Sequence, residues 1–210
     1  MATELRPLAI SPNFTSSEWI SLSQLSSADW LTAIQILRDR LEGRYFRFLH
    51  HLIEDPHSGF IVLSVDCLLA ETLAQFRAGF TSGDSRRGRF IKQFLAGPRF
   101  HHHFDEQART RFYEDIRCGL LHQAEAKQMW LVRRNQPEML QKVETESGYI
   151  IDVQKFHAAV HDSFEDYCEE LLDPSCVELR SNLWIKMDDI CKTRNQRGLL
   201  LDIVASSQER

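Results

Sequence analysis

The sequence has no C-x-x-C pair, and its five cysteines, Cys67, Cys118, Cys168, Cys176 and Cys191, are odd in number. They are therefore read as reduced thiols rather than a disulfide framework. The N-terminus lacks the basic-then-apolar pattern of a secretory signal, which predicts a cytoplasmic protein. No apolar run is long enough to cross a bilayer: the longest, Phe60 to Ala70, is interrupted by Asp66, so no membrane partner is expected. There is also no excess of positive charge. A formal net charge of −5 argues against a broad basic surface for nucleic acid, so a phosphate partner has to meet a local patch. Internal repeats and low-complexity segments are absent too, which leaves one domain over 210 residues, with 43% hydrophobic content to build its core.

What is present is mostly helical periodicity. After an arm over residues 1–14, a short helix is predicted from Ser16 or Ser17, carrying Trp19, Ile20 and Leu22. A long helix follows, with Ser27 as N-cap. Trp30, Ile34, Leu37, Leu41, Tyr45, Phe48 and Leu52 step by three or four residues along one apolar stripe. A turn at Pro56 leads to a helix over residues 58–80 that is apolar on nearly every side, the predicted core helix. Two carboxylates, Asp66 and Glu71, interrupt it. A carboxylate near a core needs a partner, so they either look outward or orient a cation. Arg86, Arg87, Arg89, Lys92 and Arg99 then give the chain its one positive bias, read either as a solvated loop or as an RNA-backbone contact.

The stretch Asp105 to Lys127 organises the rest. Phe112, Ile116 and Leu120 recur at helical spacing and predict a buried face, with Glu114 and Asp115 left in water. At Arg117-Cys118-Gly119-Leu120-Leu121-His122 a permanent cation and an imidazole lie five positions apart, with a glycine between them that permits a bend. Beyond it, residues 129–133 and 149–153 are strand-like and are predicted to pair as a small hairpin. Asp152 caps a helix with Phe156, Val160, Phe164, Tyr167 and Leu171 on one face. A last helix is expected over residues 176–191, with a further short one in the tail. The three adjacent histidines His101 to His103 point in different directions and have no matching fourth ligand, so no metal site is assigned to them.

The segment IRCGLLHQAE, an amphipathic helix ahead of it and an acid-bearing apolar helix before that resemble the HEPN superfamily (higher eukaryotes and prokaryotes nucleotide-binding). Its hallmark is an Arg and a His separated by four to six residues at a helix junction. The resemblance covers residues 30–127. A second Arg–His spacing, Arg44 to His50 or His51, falls inside the long helix and is read as surface or packing residues. The position after the arginine, often polar in the family, is Cys118 here.

The resemblance implies an all-α HEPN-like helical bundle with a β-hairpin insertion after the motif helix. The core would span residues 27–127, and the hairpin and C-terminal helices residues 128–204. It also implies a homodimer whose two motifs share a cleft, and metal-independent RNA cleavage with no cofactor, in a toxin or phage-defence setting with an antitoxin or regulator as partner. Arg117 would clamp phosphate and His122 would transfer a proton, supported by Glu71, Asp66 and Gln123. The alternative is a non-catalytic module that binds nucleotide, RNA or protein through the same cleft, with Arg117 and His122 knitting the helix junction. Cys118 as a nucleophile is a third reading: the neighbouring cation favours its thiolate and an apolar junction opposes it.

Overall fold

The computed structural model describes residues 8–81, 88–143 and 148–208, with residues 193–208 as backbone alone. The chain is mainly helical, with one small sheet. Its contacts divide it into two compact units, residues 1–47, 79–81 and 168–210 in one and residues 48–78 and 82–167 in the other.

The first unit contains α1 (Ser16–Ile20), α2 (Ser27–Leu41) and α9 (Val177–Gln208). α1 starts at Ser16, as expected, and Thr15 caps it: Thr15 accepts from the Glu18 backbone N–H while Glu18 reaches back to the Thr15 N–H, a reciprocal capping box. Ser26 caps α2. Trp184 packs against Trp19 and Trp30, with ring centroids 4.8 and 5.1 Å away. The Trp19 indole N–H donates to Asp188 Oδ1 at 2.8 Å, which satisfies the polar end of a buried ring. The C-terminal helix predicted in two pieces is continuous.

The apolar stripe of α2 does not continue as predicted. A π turn occupies Glu42–Phe46 before α3 (Arg47–Leu52). A π turn holds an extra residue, so the buried face advances by one position. Phe46, Leu49 and Ile53 are buried where Tyr45, Phe48 and Leu52 were expected, and Phe48 is 50% exposed.

In the second unit α4 (Gly59–Arg77) is the core helix, and Val62, Leu63, Leu69, Ala70, Leu73 and Phe76 are buried on it. It is long and apolar enough to cross a membrane by length and composition, and half of that window is buried within the fold. Its other face leaves Ile61 and Leu68 exposed. Next come α5 (Arg89–Phe94), α6 (Glu106–Arg111), a second π turn (Phe112–Arg117) and α7 (Cys118–Gln123). Asp105 caps α6 by accepting from the Ala108 N–H at 2.7 Å. As predicted, Phe112, Ile116 and Leu120 are buried. Asp115 is buried as well, contrary to expectation: it accepts from the Trp130 indole N–H at 3.2 Å and lies 3.6 Å from Arg111.

The predicted hairpin is a three-stranded sheet in the order β1-β3-β2, made of Trp130–Arg133, Gly148–Asp152 and Leu140–Val143 respectively. β1 and β3 pair in parallel, and β2, which the alternation did not reveal, pairs antiparallel with β3. A direct hairpin between β1 and β3 is therefore ruled out. Asp152 closes β3 and caps α8 (Val153–Leu172), accepting from the Lys155 N–H at 2.8 Å. Phe156 on α8 stacks on Phe112 at 5.2 Å and also meets Phe100 and Phe104, so the motif helix and α8 share one aromatic core.

Candidate active site

Arg117 ends the second π turn and sits at the N-cap position of α7. From this break its guanidinium reaches α4. Nε donates to Glu71 Oε1 at 2.9 Å and Nη2 to Oε2 at 3.0 Å, a two-point fork that fixes orientation as well as charge. The side chains are 26% and 19% exposed. Burial works against the charged guanidinium, but the hydrogen bonds and charge of Glu71 outweigh it, and the Arg117 pKa lies above the ordinary arginine value. Nη1 makes no hydrogen bond among the described residues, so it is the nitrogen left to meet a ligand.

The pair opens onto a cavity of about 350 Å³. Val65, Leu68 and Leu121 form its apolar wall, while Thr72 and Gln75 continue the polar side. This is room for a nucleotide-sized fragment with one anionic group at Arg117.

His122 and Gln123 lie on α7 and are exposed; neither lines that cavity. Residues five apart on a helix are turned about 140° from each other, so the break that aims Arg117 at α4 aims His122 elsewhere. Within one chain the two motif residues are thus held apart. Gly119 has a packing role rather than a hinge role. The loop after α7 folds back so closely that a Cβ at 119 would lie 2.4 Å from the Glu125 carbonyl oxygen. The Lys127 N–H closes this return by donating to the Asp115 carbonyl at 2.9 Å.

No family model, curated protein or solved structure matches the chain.

Asp66, expected to face solvent or to support Arg117 or His122, is fully buried and bonded to His157 on α8, Oδ1 to Nδ1 at 3.0 Å. Burial raises its pKa, and the hydrogen bond and charge of His157 oppose that rise. Sequence reasoning missed His157. Its signal was present in the H-x-x-x-H spacing of His157 and His161 next to the apolar stripe of α8. Glu71 does what the second reading allowed and orients Arg117.

Arg86 and Arg87 lie outside the described residues. Arg89 is exposed and Lys92 half-buried on α5. Arg99 is neutralised, bonding both oxygens of Asp166 at 2.6 and 2.7 Å and Asp162 at 3.1 Å. Of the histidine run, His101 and His102 stack on each other with centroids 3.6 Å apart and His103 lies 4.0 Å from Glu138. Cys67 is buried, and burial, with Asp66 and Glu71 adding to it, pushes its thiol well above the ordinary range, so it is no nucleophile at neutral pH. Cys118 is half-buried.

Proposed function

We propose that the chain is a metal-independent endoribonuclease of the HEPN type, acting as a cytoplasmic homodimer, with toxin or defence activity as the setting. The observation that carries this reading is the Arg117 fork: a cation oriented by Glu71 at a helix break and lining a cavity, and a histidine presented at the surface five residues later.

In this reading the ribose 2′-oxygen attacks the adjacent phosphorus. The 2′-O–P bond forms, the P–O5′ bond breaks, the 2′-OH proton passes to one His122, and the 5′-oxygen takes a proton from the other. Products carry a 2′,3′-cyclic phosphate and a 5′-OH. Arg117 stabilises the charge that grows on the non-bridging oxygens, where a preoriented donor is worth most. Because each chain turns its own Arg117 and His122 apart, the reaction needs both chains, each supplying a proton-transfer group to a shared cleft. The exposed apolar side chains near the motif, Ile61 (53%), Leu68 (46%) and Leu121 (55%), favour such an association.

Cleavage of a mixed RNA substrate in EDTA tests this. Wild type should cut, and Arg117→Ala and His122→Ala should each lose about 10²-fold or more, the usual worth of a proton-transfer or charge-stabilising group. A second reading, a binding module without cleavage, is favoured by the occupied fork of Arg117. It predicts RNA or nucleotide binding without products, weakened by Arg117→Ala and indifferent to His122→Ala.

A further inference from the structure

A second cavity, of about 210 Å³, lies where the turn after α3 meets the end of β1, and it shares no residue with the Arg117 cavity. His57, Gly59, Arg133 and Arg134 line it. Arg134 is half-buried, and its guanidinium is met by neutral oxygens: Nη1 donates to the Ile53 carbonyl, and Nη2 to the Asp55 carbonyl and, at 3.0 Å, to Ser58 Oγ. Its Nε is buried with no acceptor among the described residues. A partly buried cation ordinarily has a carboxylate beside it. Here no carboxylate lines the cavity, and among the described residues neither Arg133 nor Arg134 makes an ion pair. The Asp55 carboxylate, in the same turn, accepts from the His57 backbone N–H at 2.7 Å.

The start of α4 adds to this positive charge. Its N-cap residue, Ser58, uses its hydroxyl elsewhere, accepting from Arg134 and donating to the Asp55 carbonyl at 2.8 Å, so it makes no capping bond. The Val62 N–H is the first to reach back, to the Ser58 carbonyl, which leaves the N–H groups of Gly59, Phe60 and Ile61 without an acceptor among the described residues. The positive end of a 19-residue helix therefore stands uncapped at Gly59, in the wall of a cavity that two arginines already line.

We propose that this cavity binds an oxyanion of the phosphate class, as inorganic phosphate or as a small phosphate monoester. Arg133 is exposed, and among the described residues its guanidinium bonds only to the Val132 carbonyl, through Nη1 at 3.1 Å, so Nε and Nη2 remain to donate to phosphate oxygens. The first N–H groups of α4 and the His57 imidazole are further donors. Arg134 acts as a fixed charge behind them, held by three protein oxygens and needing no reorganisation when the anion arrives. Pro56, Phe60 and Val132 supply an apolar side that suits the organic part of a monoester. Neither Arg117 nor His122 takes part, so the site stands whether or not the chain cleaves RNA.

The test is the thermal midpoint of the full chain titrated with sodium phosphate and, separately, with 5′-AMP, at ionic strength matched with sodium chloride. The parent is Arg117→Ala, or Arg117→Gln should the alanine variant not fold, so that the other cavity cannot contribute. A ligand that binds only the folded state raises the midpoint with its concentration, but phosphate also strengthens burial in any protein, so the quantity read is the difference between the parent and the same protein carrying Arg133→Glu. Position 133 is exposed, and circular dichroism checks that the variant is folded. Arg133→Glu should need about tenfold more ligand, or beyond, for the same rise, the worth of one charge-assisted hydrogen bond. Tighter binding of 5′-AMP than of phosphate assigns a monoester that uses the apolar side, and equal binding assigns the bare anion. Titrations of parent and Arg133→Glu that coincide for both ligands would overturn the proposal.

Discussion

At the scale of single residues, partners decide what each charge can do. Arg117, Arg99 and Arg111 all meet carboxylates, but with different consequences. Arg117 is held half-buried at a cavity by one acid, whereas Arg99 is a surface clamp on α8. The Arg99 hydrogen bonds, with its charge, hold the Asp166 carboxyl below the ordinary aspartate value of 3.8, against a smaller opposing effect of burial. A depressed acid contributes stability above its ordinary pKa and loses it as pH falls through the lowered one. Arg99→Met should therefore destabilise the protein at pH 7 by about 1 kcal/mol or less, the range for exposed pairs. The difference should vanish below the depressed pKa, and urea melts at pH 7 and at pH 2 check it. Asp66 has the opposite sign, since burial raises its pKa: by itself it favours the fold more as pH falls through that raised value. That makes it a poor candidate for driving acid unfolding, although it is fully buried.

At the scale of elements, the two π turns do the most to separate the periodic pattern from the structure. The first moves the buried face of the α2–α3 helix by one residue. The second sets Arg117 at a break, where its side chain can reach α4. Neither has a sequence signature that hydrophobic spacing detects, because an inserted residue leaves the local composition unchanged. Gly119 shows how tightly the second break is built. Gly119→Ala places a methyl group against the Glu125 carbonyl, which belongs to the backbone and cannot rotate away. Overpacking of this kind costs about 1–3 kcal/mol, read as a shift of the denaturant midpoint at unchanged slope. The variant should also lose RNA cleavage if α7 has to carry His122 at a fixed angle. The sheet is a similar case. β1 and β3 alternate well enough to be read as strands, but their parallel direction depends on where the chain passes between them, and the short β2 strand, LQKV, is too polar to stand out.

At the scale of the molecule, the proposed reaction needs two chains, and the exposed leucines beside the motif give that requirement a surface. Leu121→Glu replaces a side chain that is 55% exposed. Light scattering should find the wild type as a dimer and Leu121→Glu as a monomer, with circular dichroism unchanged and RNA cleavage lost. A monomeric wild type that still cleaves would remove the shared-cleft mechanism.

Much of the helical content was legible from residues alone. Phe112, Ile116 and Leu120, and the row Phe156, Val160, Phe164, Tyr167 and Leu171, were read as buried faces and are buried, because an amphipathic helix advertises its own core side at a period of 3.6. The cap at Asp152 is equally local, since it needs only a carboxylate three residues before a free backbone N–H. Which acid meets which base was not local. Glu71 takes Arg117 from 46 positions away, Asp66 takes His157 from 91, and Asp115 goes inward to Trp130 although Glu114 beside it is exposed. Periodicity states which face of a helix is buried, but it carries no information on what the other elements bring to that face. Only the packed chain decides whether a buried carboxylate orients a cation, holds an imidazole or satisfies an indole.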